Sequence, residues 1–266
     1  MRTHRLPGIW AVVPIKRLAV AKQRLAAALG SAREEFAYLL VCRTLDVLRK
    51  AALFEGVIVV SPDERVARAA RDRGAVVIDD GEIPLNEACA LGLGAAAGRG
   101  PNVSVLLPCD LAALTAGSLT DVISRYFKLR DRYGAGSIGL VRCKDGTGTN
   151  MVILNPQLTF RPSFGPNSFE RHMQDCAGAA RELIAPAVSF DIDSPGDIEA
   201  FARMVAHIET PDALANLVRG LNDTPIAAPQ RDLLDAKNLP DLEFDVDLPA
   251  DLSRLASPRW LTRLQA

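Results

Sequence analysis

Short apolar runs separated by stretches of helical period recur from residue 9 to residue 78, and this alternation leaves few folds open. Ile9-Trp-Ala-Val-Val13, Val57-Ile-Val-Val60 and Ala75-Val-Val-Ile78 have the length and the β-branched content of buried strands. Pro14, which has no amide to donate to a sheet ladder, closes the first. Between them, Ala21 to Leu29 is built of strong helix formers, and Ser31 to Ala52 carries Phe36, Leu39, Leu40, Leu45, Val47 and Leu48 on one wide face. Ser61-Pro62-Asp63-Glu64 reads as a Ser N-cap with Pro in the first turn and Glu at the third position, opening a helix from Glu64 to Arg73 that stops at Gly74. Strand, helix, strand, helix, strand predicts an α/β fold: a mostly parallel sheet with helices on both faces.

Farther along, Asn86 opens an Ala-rich helix to about Gly98. Its Gly92-Leu-Gly94-Ala-Ala-Ala-Gly98 lies inside a helical pattern rather than after a strand, so the glycines predict close helix packing and not a dinucleotide site. Val103 to Leu107 is a strand running into Pro108-Cys109-Asp110-Leu111, and Thr115 to Arg132 is a helix. Ser137–Val141 and Met151–Leu154 are two strands joined by a Gly/Thr-rich loop. Ser168 to Gly178 reads as a helix, Val188 to Asp193 as the last core strand, and Ser194-Pro195-Gly-Asp197 as the cap of a helix ending near Ile208. From Glu209 prolines recur and acids crowd between Asp241 and Asp251, so 1–208 is expected to be one domain and 209–266 a helical or partly extended C-terminal appendage. Trp260, Leu261 and Leu264 in that tail need cover from the core or from a second subunit, the latter making a homodimer.

Composition excludes more than it assigns. Of 266 residues 48% are hydrophobic and 24% charged, and the net charge of −1 gives no general attraction to nucleic acid or to an anionic membrane. Aromatics at 5% are too sparse for a base-stacking platform. No apolar run approaches the ~20 residues of a membrane helix, and Met-Arg-Thr-His-Arg-Leu-Pro lacks the apolar core of a signal peptide. Five scattered cysteines and three distant histidines offer neither a disulfide framework nor a zinc motif, which fits reduced thiols in a cytoplasmic protein.

Chemistry concentrates in three places. After the first strand, Lys16, Arg17, Lys22 and Arg24 set cations at a sheet edge where helix N–H groups also gather, a phosphate site in outline. With no P-loop pattern, the lysines and arginines would be the main grip on phosphates. Asp110 follows a strand at its C-terminal end, where open α/β sheets bind ligands, and Asp191 and Asp193 share one face of an extended run. Carboxylates held side by side repel unless a cation joins them, and Mg²⁺, which takes oxygen ligands from acids and substrate phosphates, fits. Solvated loop acids are the plainer alternative, and for Asp197 helix capping suffices. Finally, Gly146-Thr-Gly-Thr149-Asn150 and Phe164-Gly165-Pro-Asn-Ser168-Phe169 combine glycines that admit close backbone approach with a serine at a helix start. A turn and an N-cap would explain each separately.

Val13-Pro-Ile-Lys16 with Ala21-Lys22-Gln-Arg24-Leu25 resembles the start of the 2-phospho-L-lactate guanylyltransferases, which include the phosphoenolpyruvate guanylyltransferases of deazaflavin coenzyme F-420 biosynthesis. The likeness continues through Leu85-Asn86-Glu-Ala88, Leu107-Pro-Cys-Asp110-Leu111, Gly148-Thr149-Asn150, Phe164-Gly165-Pro-Asn-Ser168-Phe with His172, and Asp191-Ile-Asp193-Ser-Pro. The order is consistent from Ile9 to Ile208, and the joint pattern is specific although each motif is weak.

The resemblance implies the Rossmann-like nucleotidyltransferase fold shared with molybdopterin and sugar nucleotidyltransferases. It implies GTP as donor and a small phospho-carboxylic acid (2-phospho-L-lactate, phosphoenolpyruvate or 3-phosphoglycerate) as acceptor. In that pattern Lys16, Lys22 and Arg24 serve catalysis and, with Asn86, the nucleotide. Thr149, Gly165 and Ser168 contact the acceptor, and Asp110, Asp191 and Asp193 hold Mg²⁺. The family usually has proline where this chain has Ala112, which puts the setting of the Asp110 loop in question. Another nucleotidyltransferase, or a catalytically silent nucleotide-binding subunit, would share much of the pattern.

Overall fold

A computed structural model describes residues 8–176 and 178–205. The expected tail, 209–266, and the end of the last helix lie outside them.

In chain order the elements are β1 (Ile9–Pro14), α1 (Ala26–Leu29), α2 (Arg33–Ala51), β2 (Gly56–Val60), α3 (Glu64–Arg71), β3 (Val76–Ile78), α4 (Leu85–Ala97), β4 (Val103–Leu106) and α5 (Ala116–Tyr133). Then come β5 (Ile138–Arg142), β6 (Thr149–Leu154), α6 (Ser168–Asp175), β7 (Ala180–Glu182), α7 (Pro186–Ser189) and α8 (Pro195–Val205). The strands form one sheet in the order β3-β2-β1-β4-β6-β5-β7. Only β6 runs antiparallel to its neighbours, β4 and β5; the other pairs are parallel.

Alternation along β1 shows why both faces are covered. Ala11 and Val13 join a core with α2, α3 and α5, while Val12 joins Ile58, Val60 and the α4 residues Ala88, Cys89 and Leu93 on the other face. A side chain at Gly92 would collide with Val12 and Val60, so that glycine does serve close packing of α4 on the sheet. A third cluster, with Leu25, Leu29, Phe36, Leu40, Ala112, Phe190, Ile192 and Phe201, ties α1, the start of α2 and α8 to the loop after β4.

Four sequence expectations change. Ala21–Leu29 is not one helix: Lys22 takes a left-handed backbone (φ 52°), breaking it into a turn of 3-10 helix at Gln23–Leu25 and the single turn of α1. At α3 the cap is Asp63, not Ser61, because the Asp63 carboxylate accepts from the amides of Arg65 and Val66. Residues 188–193 are not a strand. Val188 and Ser189 belong to α7, and the extended run after them pairs with no strand among the described residues. The seventh strand is instead β7, a three-residue edge too short to stand out in the sequence.

Candidate active site

Chain direction brings the site together. From β1 the chain builds β2 and β3 to one side, then returns to lay β4 on the other side of β1. The crevice beyond the C-terminal ends of β1 and β4 is therefore the switch point where open α/β sheets bind ligands. The loop after β1 supplies Lys22 and the loop after β4 supplies Asp110.

The Lys22 ammonium lies 2.5 Å from Asp110 Oδ2 and 2.8 Å from Asp193 Oδ1, and donates to the Ile192 carbonyl at 2.6 Å. Burial alone would lower its pKa, but Asp110 and Asp193 outweigh burial and hold it above the ordinary lysine value. Asp193 shows the mirror image: burial pushes its pKa up, and Lys22 pulls it below the usual carboxylate range. A second lysine was not picked out by the sequence. Lys144, on the β5–β6 connection, donates to the Asp191 carbonyl at 2.7 Å and lies 3.2 Å from Asp191 Oδ1 and 3.4 Å from Asp197 Oδ2. Asp191 is still pushed up to about 6, by burial first and then by Asp110 and Asp193, against the pull of Lys144.

The acids are therefore not a bare like-charge cluster, as the sequence suggested; two half-buried ammonium groups partly offset them. Negative charge remains in excess, with four carboxylates (Asp110, Asp191, Asp193, Asp197) facing Lys22 and Lys144. Asp110 Oδ1 is buried without a hydrogen-bond partner, a costly state for a carboxylate oxygen. An added cation would satisfy it. Among the described residues no three His, Cys, Asp or Glu side chains enclose a ready metal cage. Mg²⁺ commonly uses only one or two carboxylates and completes its shell with waters and substrate phosphates, so this donor set fits that ion.

Local devices fix the acids. Asp197 accepts from the amides of Asp193 and Ser194 and from the Ser194 hydroxyl, so it caps α8 as expected while also facing Lys144. Opposite β5, the register slips between Val141, paired with Met151, and Arg142, paired with Thr149. The extra residue of this bulge is Asn150, and bulges re-aim side chains. Its side-chain Nδ2 donates to the carbonyls of Val188 and Ser189 at 3.0 and 3.1 Å, pinning the chain just ahead of Asp191. The Ala112 amide donates to the Asp110 carbonyl at 3.0 Å, and the same carbonyl accepts from Ile192 at 3.2 Å. Proline could not make the first of these bonds, so Ala112 sets the Asp110 loop through a contact of its own.

Across β6 lies the group expected at the acceptor. Thr149 donates its amide to Ser168 Oγ at 3.0 Å, and its hydroxyl lies 2.9 Å from His172 Nδ1. Ser168 is not its helix's cap, since that position is Asn167. The helix start is not an open anion cradle either: the Ser168 and Phe169 amides go to the carbonyls of Gly165 and Thr147. Gly165 (φ 125°) keeps the loop in a conformation that suits glycine. Beside it Arg171, also missed in the sequence, binds the carbonyls of Ser163 and Pro166. Asn86 exchanges two bonds with the Phe164 backbone and so holds this loop to α4. Lys16 and Arg24 are exposed; Arg24 is close enough to help lower Asp193.

Comparison with known proteins identifies the family and the fold. Residues 9–205 match the model of the family described as guanylyl transferase CofC like. A phosphoenolpyruvate guanylyltransferase of Sphaerobacter thermophilus is 35% identical over 72% of this chain and 91% of its own. One of Conexibacter woesei is 31% identical over 74% and 88%. Among solved structures, a protein described as a nucleotide-diphospho-sugar transferase from Desulfovibrio desulfuricans superposes with a TM-score of 0.59 at 11% identity, covering 81% of this chain and 95% of its own. A cytidylyltransferase from Leptospira borgpetersenii gives 0.53 at 13%, covering 82% and 94%. The solved structures show the shared fold, and the family match goes further: this chain belongs to the CofC-like guanylyl transferases and is a nucleotidyltransferase.

Proposed function

We propose that this enzyme transfers GMP from GTP to the phosphate of phosphoenolpyruvate, releasing pyrophosphate, as a step of deazaflavin coenzyme F-420 biosynthesis. The observation that carries the reading is the meeting of Lys22, Asp110, Asp191 and Asp193 at the sheet's switch point in a chain of this family. The names of the relatives favour phosphoenolpyruvate over 2-phospho-L-lactate and 3-phosphoglycerate.

Charge dictates the mechanism. A phosphate monoester has a second pKa of about 6, so near neutral pH the acceptor is largely a dianion and needs no general base. One of its oxygens forms the new bond to the α-phosphorus, the bond from that phosphorus to the bridging oxygen breaks, and pyrophosphate departs with the electron pair. The difficulty is approach of two anions, so the site works by positioning and by placed positive charge. Lys16 and Arg24 at the rim are free to meet the nucleotide phosphates. Lys22, which the carboxylates hold charged, would offset the charge that builds on departing pyrophosphate. Asp110, Asp191 and Asp193 are the residues that would hold Mg²⁺, which when bound supplies charge neutralisation of the reacting phosphates. Thr149, Gly165 and Ser168 receive the acceptor, and Asn86 holds the loop that carries Gly165.

Mass spectrometry of products from GTP with each of the three phospho-acids tests the reading. Guanosine diphospho-enolpyruvate with stoichiometric pyrophosphate is expected. Turnover confined to another nucleotide, or to a sugar phosphate, would overturn it.

A further inference from the structure

His172 is fully buried, and both of its ring nitrogens are occupied. Nε2 lies 3.0 Å from the Ser163 amide, which can only donate. Nε2 must therefore be the acceptor, and the proton of the neutral ring sits on Nδ1. Nδ1–H then donates to Thr149 Oγ1 at 2.9 Å, so the Thr149 hydroxyl hydrogen cannot be spent on His172. Ser168 Oγ likewise accepts, from the Thr149 amide, and keeps its own hydrogen. Among the described residues neither hydroxyl hydrogen has an acceptor. The rings of Phe160 and Phe164, centred 5.2 and 4.9 Å from the imidazole, hold it in place.

We propose that His172 is the positioning residue of the acceptor subsite: its tautomer leaves the Thr149 hydroxyl hydrogen available beside that of Ser168, so the subsite takes a group rich in lone pairs, a phosphate or carboxylate. A phosphate or carboxylate oxygen can accept from both hydroxyls, which an ammonium, a donor only, cannot. This rests on the reading that Thr149 and Ser168 receive the phospho-acid.

The test begins without substrate. Two-bond ¹⁵N–¹H correlation on the full-length protein should show His172 protonated at Nδ1; a ring protonated at Nε2 overturns the proposal outright. Kinetics follow with GTP and phosphoenolpyruvate. His172→Ala should raise the phosphoenolpyruvate KM by about tenfold or more, the span of one hydrogen bond to a charged group, with the GTP KM unchanged. His172→Asn, whose amide can still donate toward Thr149, should recover most of that loss. Thr149→Val should add little in the His172→Ala background, because without His172 the Thr149 hydroxyl is no longer oriented. Equal rises in both KM values, no rescue by Asn, or additive effects of the pair would each overturn the role. A wild type with the stated tautomer but no transfer to any phospho-acid would instead remove the acceptor reading, and the role with it, while the wiring stands.

Discussion

Ser168 has a structural contact and, on the proposed function, a substrate contact as well. Its hydroxyl accepts from the Thr149 amide and it is buried, yet it caps nothing. Ser168→Ala should raise the acceptor KM more than the GTP KM, since a hydrogen bond to a charged group is worth roughly 1.5–3 kcal/mol, about ten- to a hundredfold. It should also lower stability by about 1 kcal/mol or more, because the buried Thr149 amide loses its partner. Steady-state kinetics and a melting curve on one preparation check both; equal KM effects would make Ser168 a framework residue. At this scale the sequence was most informative where a residue type is scarce. Asp110 at the end of an apolar strand stood out, and so did the Asp191–Asp193 pair. Lys144 and Arg171 did not, because surface lysines and arginines are common and nothing local marks one that reaches distant acids or loop carbonyls.

Elements were legible where the hydrophobic period was long and clean. The helices at α2, α4 and α5 and the strands β1, β2 and β4 match their sequence expectations to within a few residues. Residues 188–193 misled because an extended run with a buried Ile192 between two acids has the period of a strand. What holds it is not a ladder but Asn150, the Asp110 carbonyl and the cap of α8. The bulge that turns Asn150 toward this segment depends on strand register, which no local pattern reveals. Asn150→Ala should cost about 1–3 kcal/mol by leaving buried carbonyls without donors, and should weaken turnover by loosening Asp191. Chemical denaturation with activity measured alongside tests this. Unchanged activity in a folded variant would show that the segment is held well enough without it.

For the whole molecule, His172 gives folding a pH dependence of known sign. Burial, aided by the Arg171 charge, depresses its pKa from 6.5 to about 4. Over that interval the unfolded chain takes up a proton that the folded protein does not. The stability is thus fully present above pH 6.5 and is lost as pH falls toward 4, by up to about 3 kcal/mol. Denaturation at a series of pH values should show this slope in the wild type and a shallower one in His172→Asn. Parallel slopes would mean that other groups carry the acid sensitivity. The mostly parallel sheet was written in the strand–helix alternation, and so was the place of Asp110 at the C-terminal end of a strand; the strand order that makes the switch point was not. Its charge balance was not, because the pairing of Lys22 and Lys144 with the acids joins residues far apart in sequence.

The central claim is that Asp110, Asp191 and Asp193, gathered at that switch point with Lys22, form the transfer centre. The direct measurement is guanylyl transfer as a function of Mg²⁺ concentration for Asp110→Asn, Asp191→Asn and Asp193→Asn, with melting temperatures taken in parallel. Each change keeps the side chain's size and removes one charge. Asp110→Asn in particular leaves Lys22 bonded to Asp193 and to the Ile192 carbonyl, so the fold should persist. The account predicts that all three variants fold, that turnover falls at least about a hundredfold, the scale of losing one charged group in a preorganised site, and that what remains needs more Mg²⁺. Full turnover with an unchanged Mg²⁺ requirement in these variants would contradict it.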